Sequence, residues 1–149
     1  MLRVRKLLES DWEFLPKWWD SYNQQPWIEG SNFRDIMPGA FQVGEYDKKR
    51  EGLGGFMVCK DNHPIAAIWL YLGNGNCTLP TAAISDPEYR DTDRKEAIQL
   101  LVDFITDFSK DLGYKYVFTW AQEKYMLDYY LNSGYSKFEI PSYELIKKL

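Results

Sequence analysis

Residue types that perform acid–base or nucleophilic chemistry are thinly spread in this chain. His63 is the single histidine, so a Ser-His-Asp triad or a zinc site would have to be built around it. It sits in Asp61-Asn62-His63-Pro64, a tight-turn sequence that reads as an exposed hairpin tip. Cys59 and Cys77 fall in predicted strands and lack the spacing of metal ligands. The stretch that organises the rest is residues 84–135. It reads as the end of a strand, a turn, a long amphipathic helix, a buried strand and a second helix. In that βαβα order the first turn faces whatever the domain binds. The turn carries Arg90-Asp91-Thr92-Asp93-Arg94-Lys95, and the second helix carries Tyr130.

The elements that must position these residues come from one ordinary domain's worth of chain, 149 residues with 45% hydrophobic and 27% charged side chains. Residues 1–149 are expected to form a single domain. The aromatic content, 17% with 6 Trp and 11 Tyr, suits core burial or a binding surface. A net charge of −4 and a pI near 5.1 argue against nucleic-acid binding. No apolar run is long enough to span a bilayer, and the first residues lack a signal-peptide pattern. A reducing, cytoplasmic setting is the simplest expectation.

Leu2 and Val4 alternate with Arg3 and Arg5 as a short strand. Ser10-Asp11-Trp12-Glu13 spells a capping box. The helix after it places Phe14, Leu15, Trp18, Trp19 and Tyr22 at helical spacing, and Pro16 predicts a kink or a shorter, later start. Trp18 and Trp19 are expected on the sheet, Trp19 alternatively on a pocket wall. Residues 23–38 read as a loop with one helical turn near 31–36, either covering a cleft or merely connecting. Residues 40–45, 55–60, 65–72 and 77–85 read as an antiparallel meander, with the continuous apolar run 65–72 as a central strand buried on both faces. Pro80 marks a bulge or edge position in the last of these. Asp93-Arg94-Lys95-Glu96 spells a second capping box, opening a helix that ends at Gly113. Residues 116–120 read as a strand, 124–133 as a helix stopped by Gly134, and 135–138 with 143–147 as a terminal hairpin.

This order resembles the GNAT superfamily, an α/β (α+β) fold with a mostly antiparallel mixed sheet flanked by helices. Asp86-Pro87-Glu88-Tyr89-Arg90 resembles the family's V-x-P-x-x-R segment. Tyr130-Leu131-Asn132-Ser133-Gly134-Tyr135 resembles its Y-x-x-x-G-[FY] signature, and Asp111-Leu112-Gly113-Tyr114-Lys115 its usual helix–strand connector. The resemblance implies an acetyl-CoA site in a gap between two central strands, with Ile84, Ser85, Arg90, Arg94 and Lys95 at the cofactor and Tyr130 as general acid. It implies a small amine or a protein amine as acceptor. Glu45 and Asp86 are candidate general bases, each also readable as a solvated carboxylate.

The sequence departs from the family in its phosphate loop. The family pattern [RQ]-x-x-G-x-[GA] meets Asp93 and Lys95 at its two small positions, and Glu123 stands where an asparagine is usual. As N-cap, Asp93 is expected to occupy the helix amides that would otherwise hold a pyrophosphate. That departure supports an alternative: a non-catalytic structural or binding protein with a protein partner or a homo-oligomeric state. The exposed aromatics expected to serve it are Trp27, Phe33 and Trp120. A third reading is a small-ligand sensor. The Trp-rich first helix, Met37-Pro38-Gly39, and the Ser85-Asp86-Pro87 turn before Arg94-Lys95-Glu96-Ala97 also resemble GNAT-like proteins of bacteriophages. That resemblance implies host cytoplasm or a virion as the location.

Overall fold

The computed structural model describes residues 1–22, 31–41, 48–121 and 125–149. Its centre is a five-stranded sheet in sequence order: β1 (Leu2–Lys6), β2 (Gly55–Lys60), β3 (His63–Leu72), β4 (Cys77–Ser85) and β5 (Tyr116–Val117). The first four strands are antiparallel, and β5 joins β4 in parallel. The β2–β3 turn takes two residues, Asp61 and Asn62, both with positive φ, the conformation of a tight hairpin whose twist matches its strands.

The continuous apolar run of β3 is buried on both faces, as its composition predicts: Ile65 to Leu70 are all nearly inaccessible. Alternation along β2 and β3 then divides the core in two. Phe56, Val58, Ala66 and Ile68 face α3 (Arg94–Asp111), whose Ala97, Leu101, Val102 and Ile105 complete that layer. Met57, Ala67 and Trp69 face α1 (Leu15–Ser21), which contributes Trp18 and Trp19. Tilting so many aromatic rings onto one sheet face buries a large apolar area per residue.

Helix α1 begins late, with Pro16 in its first turn, where the missing amide costs nothing. The capping box expected at Ser10 and Glu13 does not form. Residues Glu9–Glu13 make a 3-10 turn, and Asp11 is the residue that organises it. Its carboxylate accepts the Leu8 amide at 2.8 Å and the Arg5 guanidinium at 2.7 and 2.8 Å, and it is 2% exposed. A cation from β1 outcompetes the local hydroxyl pattern. The short helix α2 (Phe33–Ile36), within the turn expected near 31–36, is capped by Asn32, which accepts the Asp35 amide at 2.9 Å.

Helix α3 ends at Gly113 and α4 (Leu127–Asn132) at Gly134, each glycine at φ 92, a conformation that side chains resist. Most of the expected strand at 40–45 lies outside the described residues, as does the start of the helix expected at 124. The terminal hairpin is a correction: residues 135–149 form no strand. Strand β5 is only two residues long, too short an edge to stabilise a further pair of strands. Phe138, Ile140, Tyr143 and Leu145 are consequently exposed.

Candidate active site at the split between β4 and β5

The two central strands part after two residues of pairing, Cys77 with Tyr116 and Thr78 with Val117. Pro80 supplies the reason. On β3, Leu70 donates its amide to Gly54 O, away from β4, so its partner Pro80 turns its own nitrogen and carbonyl toward β5. The ladder continues through Phe118, whose amide reaches Thr78 O at 2.9 Å. The next bond requires an N–H at residue 80, which proline lacks. Instead the Thr119 hydroxyl donates to Pro80 O at 2.9 Å, and the strands diverge.

Pro80 was expected to mark a bulge or an edge position; it stands where the pairing with β5 stops, and the bulge lies further on. Between the pairs Trp69–Thr81 and Ala67–Ile84, β4 carries one residue more than β3. Ala82 absorbs it at φ 56, a strained setting for a residue with a Cβ. Proline and bulge together leave the last residues of β4 without a ladder partner on the β5 side among the described residues.

Two of the expected cofactor residues, Ile84 and Ser85, end β4 and are 6% and 9% exposed. Arg94, the first residue of α3, turns inward rather than toward solvent. Its guanidinium donates to Ser85 Oγ at 2.6 Å and to the Tyr22 hydroxyl at 3.4 Å, while its buried Nε has no acceptor among the described residues. The Tyr22 and Ser85 hydroxyls are themselves 3.3 Å apart, so the end of α1, the end of β4 and the start of α3 meet in one polar knot. Arg90 and Lys95 are exposed on the outside of the same turn.

The expected capping role of Asp93 is overturned. The Asp93 side chain makes no cap bond to α3. Asp93 Oδ2 accepts Lys60 Nζ at 2.8 Å and Oδ1 accepts the Tyr89 hydroxyl at 2.7 Å, neither partner belonging to α3. The Lys60 hydrogen bond, then that of Tyr89, holds the Asp93 carboxyl below its ordinary value. The same bond to Asp93 is the main cause that pushes the Tyr89 phenol up to about 12. Asp93 also stands at φ −90 and ψ 6, ordinary for any side chain, so this turn adopts its shape without the family's glycine.

Asp86, a candidate base, is committed to the loop itself. It accepts the Glu88 amide at 2.9 Å and lies 3.3 Å from Nε2 of His63, which stacks on Tyr89 at 5.5 Å. His63 is more than half exposed, as the turn predicted, yet it belongs to the first pair of β3. Glu45, Glu123 and Trp27 lie outside the described residues. Among the described residues no cluster of side chains suits a metal ion.

Tyr130 sits apart from Arg94, on α4, 5% exposed, with its ring 5.0 Å from that of Tyr135. Burial pushes its phenol far above the ordinary value, and hydrogen bonding to Thr119 pulls the other way. Thr119 also bonds Pro80 O, so the Tyr130 hydroxyl borders the point where the strands part. Sequence reasoning missed Tyr22, Lys60 and Tyr89. Only the position of Tyr89, four residues before Asp93, could have suggested its bond.

No protein-family model matches the sequence, and no curated sequence does either. Solved structures do match. An acetyltransferase from Trypanosoma brucei aligns over 98% of this chain and 100% of its own at a TM-score of 0.62 and 18% identity. Glucosamine-6-phosphate N-acetyltransferase from Arabidopsis thaliana aligns over 99% of both chains at 0.61 and 13%. N-acetylglutamate synthase from Neisseria gonorrhoeae, complexed with coenzyme A and L-arginine, aligns over 95% of this chain and 29% of its own at 0.64 and 11%. The mixed five-stranded sheet, split beside a bulged strand and flanked by helices, is the fold of the GNAT acetyltransferases.

Proposed function

We propose that the chain is an N-acyltransferase that binds acetyl-CoA along the open side of β4 and acetylates an amine, on a small molecule or on a protein. The observation carrying this reading is the coincidence of the β4–β5 split with an α3 N-terminus whose N-cap residue, Asp93, makes no side-chain cap bond. When bound, acetyl-CoA supplies an acetyl carbon activated by a thiol leaving group, which an amine displaces to give an amide.

The chain's own residues would do the following. The first-turn amides of α3 and its macrodipole attract the pyrophosphate, helped by Arg90 and Lys95 on the same turn. Lys60 and Tyr89 hold the Asp93 carboxylate away from those amides. Ile84 and Ser85 offer the end of β4, and Arg94 braces Ser85 from below. Tyr130 keeps its proton at neutral pH. A phenol raised above its ordinary pKa of about 10 is a weaker acid than a thiol of about 8.5. Full proton transfer to a leaving thiolate is therefore uphill, and Tyr130 acts first as a hydrogen-bond donor to the sulfur.

Acetyl-CoA at millimolar concentration should raise the melting temperature of the chain, because a ligand that binds only the folded state stabilises it. No shift at that concentration would sink the acyltransferase reading. We place the protein in the cytoplasm, where its two free cysteines fit a reducing environment.

One observation favours a second reading, a non-catalytic structural or binding protein of the kind the bacteriophage resemblance implies. The C-terminal residues Phe138, Ile140, Tyr143, Leu145 and Leu149 are exposed, as are Phe118 and Trp120 after β5, and the Phe138 ring lies 6.3 Å from that of Phe118, the composition of a protein interface. Size-exclusion chromatography with light scattering tests it. A strict monomer that captures no partner would count against this second reading.

A further inference from the structure

Tyr130 is carried to the strand split by a helix with little apolar packing of its own. Helix α4 has six residues, and Tyr130 is the one among them that is buried. A helix that short does not hold its shape alone in water, and apolar contact through a single ring is not directional. A row of polar side chains on α3 supplies the direction. Gln99, Asp103 and Thr106 follow one another at spacings of four and three residues, so they share one face of that helix.

The row grips α4 at both peptide units that flank the Tyr130 side chain. On the N-terminal side, Gln99 Nε2 donates to the Tyr129 carbonyl at 3.0 Å, and that carbonyl shares its rigid peptide plane with the Tyr130 amide. The same Nε2 donates to Asp103 Oδ1 at 3.0 Å, while Oε1 accepts Asn132 Nδ2 at 3.4 Å. Reversing the Gln99 amide would set its oxygen against two others, so its orientation is fixed by its neighbours. On the C-terminal side, the Tyr130 carbonyl accepts the amides of Ser133 and Tyr135 at 3.0 and 3.1 Å. Those two residues are in turn held to α3 by their side chains. Ser133 Oγ donates to Asp103 Oδ1, and the Tyr135 hydroxyl lies 2.7 Å from that of Thr106. Thr106 spends its own proton on the Val102 carbonyl at 2.9 Å, so Tyr135 is the donor in that pair.

We infer that Gln99, Asp103 and Thr106 are positioning residues for Tyr130, setting where its hydroxyl stands beside Thr119 and the β4–β5 split. Hydrogen bonds weaken steeply below about 120°, so a row of them fixes both the advance and the rotation of α4 along α3. Ring packing alone leaves those two motions free. The consequence for turnover rests on the acyltransferase reading; the geometry does not. A reacting group misplaced by about 1 Å costs up to about a hundredfold in rate. A slide of α4 by that much takes the hydroxyl off Thr119 while the ring stays in the core.

Two measurements on the full chain test this, and the first needs no ligand. With the tyrosines isotope-labelled at Cζ for NMR, the Tyr130 signal is identified by its loss in Tyr130→Phe. Asp103→Leu and Gln99→Leu should each move that signal or split it. Asp103→Asn, which keeps an acceptor oxygen, should leave it near its parental position. Leucine suits a helix, and Gln99→Leu keeps the test decisive if Asp103→Leu does not fold. The second measurement is turnover. Asp103→Leu should lower kcat about tenfold or more with the KM for acetyl-CoA unchanged, and Asp103→Asn should stay within about threefold of the parent. In a Tyr130→Phe background, Asp103→Leu should cost less than about twofold, because residues acting through one group are not additive. A Tyr130 signal unmoved in both leucine variants overturns the inference. So does an undiminished effect of Asp103→Leu on kcat in the Tyr130→Phe background. A chain with neither turnover nor a melting shift in acetyl-CoA overturns the acyltransferase reading instead, and the Tyr130 signal then decides the positioning by itself.

Discussion

Lys60, the last residue of β2, and Asp93, the residue before α3, meet at 2.8 Å across 33 residues of sequence. Their contact decides the state of the helix terminus. A carboxylate at an N-cap position ordinarily turns onto the free amides of the first turn, but here it is held off by an ammonium and a phenol.

Breaking that contact should therefore damage anion binding indirectly. In Lys60→Met the freed Asp93 carboxylate is expected to swing onto the α3 amides and compete with the pyrophosphate, so the thermal shift produced by acetyl-CoA should shrink. Asp93→Gly should do the reverse, since it removes the competing charge and the Cβ together. Titrating the melting temperature against acetyl-CoA for both variants checks this. Equal shifts in the two variants would show that Asp93 has no bearing on the site.

The same contact predicts a dependence of stability on pH. Tyr89 has its folded pKa raised to about 12. Its contribution is present in full below the unfolded phenol value of about 10 and is lost as pH rises toward about 12. Asp93 has its folded pKa lowered, so its contribution is present above the unfolded value of about 3.9 and is lost as pH falls through the lowered one. Denaturant unfolding followed from pH 9 to 12 should show a shallower alkaline decline in Tyr89→Phe than in the parent chain. Parallel declines would mean that the other buried tyrosines account for it.

Pro80 is expected to hold the strands apart by withholding one donor. Pro80→Val supplies an N–H opposite Phe118 O and suits a strand. The new bond should stabilise the fold by about 1 kcal/mol while narrowing the split, so the response to acetyl-CoA should weaken. Hydrogen exchange at residue 80 and the unfolding free energy read the first effect, and the ligand-induced shift reads the second. A more stable variant with an undiminished ligand response would place the cofactor elsewhere.

Tyr130 separates packing from chemistry. Tyr130→Phe keeps the ring in the core, so it should unfold within about 1 kcal/mol of the parent, whereas Tyr130→Ala should cost about 3–5 kcal/mol as a large core truncation. If Tyr130 donates to the leaving sulfur, the Phe variant should acetylate amines at least tenfold more slowly with acetyl-CoA affinity preserved. Unchanged turnover would leave Tyr130 a packing residue.

Much of the scaffold could be read from the chain because it depends on local chemistry. The apolar run in β3 declares burial on two faces, Pro16 delays α1, and Gly113 and Gly134 stop their helices at positive φ. Each of these is a property of a few neighbouring residues, and tertiary contacts reinforce it. The terminal hairpin failed for the converse reason. Its strands needed an edge, and β5 proved two residues long.

At the candidate site the local patterns misled. Asp93 has the sequence of an N-cap and Ser10 that of a capping box, yet neither caps, because folding brings Lys60 to Asp93 and leads Arg5 to Asp11, which takes over the turn that Ser10 was to open. A carboxylate bonds the strongest donor within about 3 Å, and which donor arrives there is settled by the sheet register. The inward turn of Arg94 onto Ser85 and Tyr22 is of the same kind, as is the stack that puts Phe33 on Trp19. By itself the sequence determined the order of elements, the two-faced core and the turn that opens α3. The tertiary structure alone decided which charges at that turn are spent on each other, because charge pairing joins residues far apart in the chain.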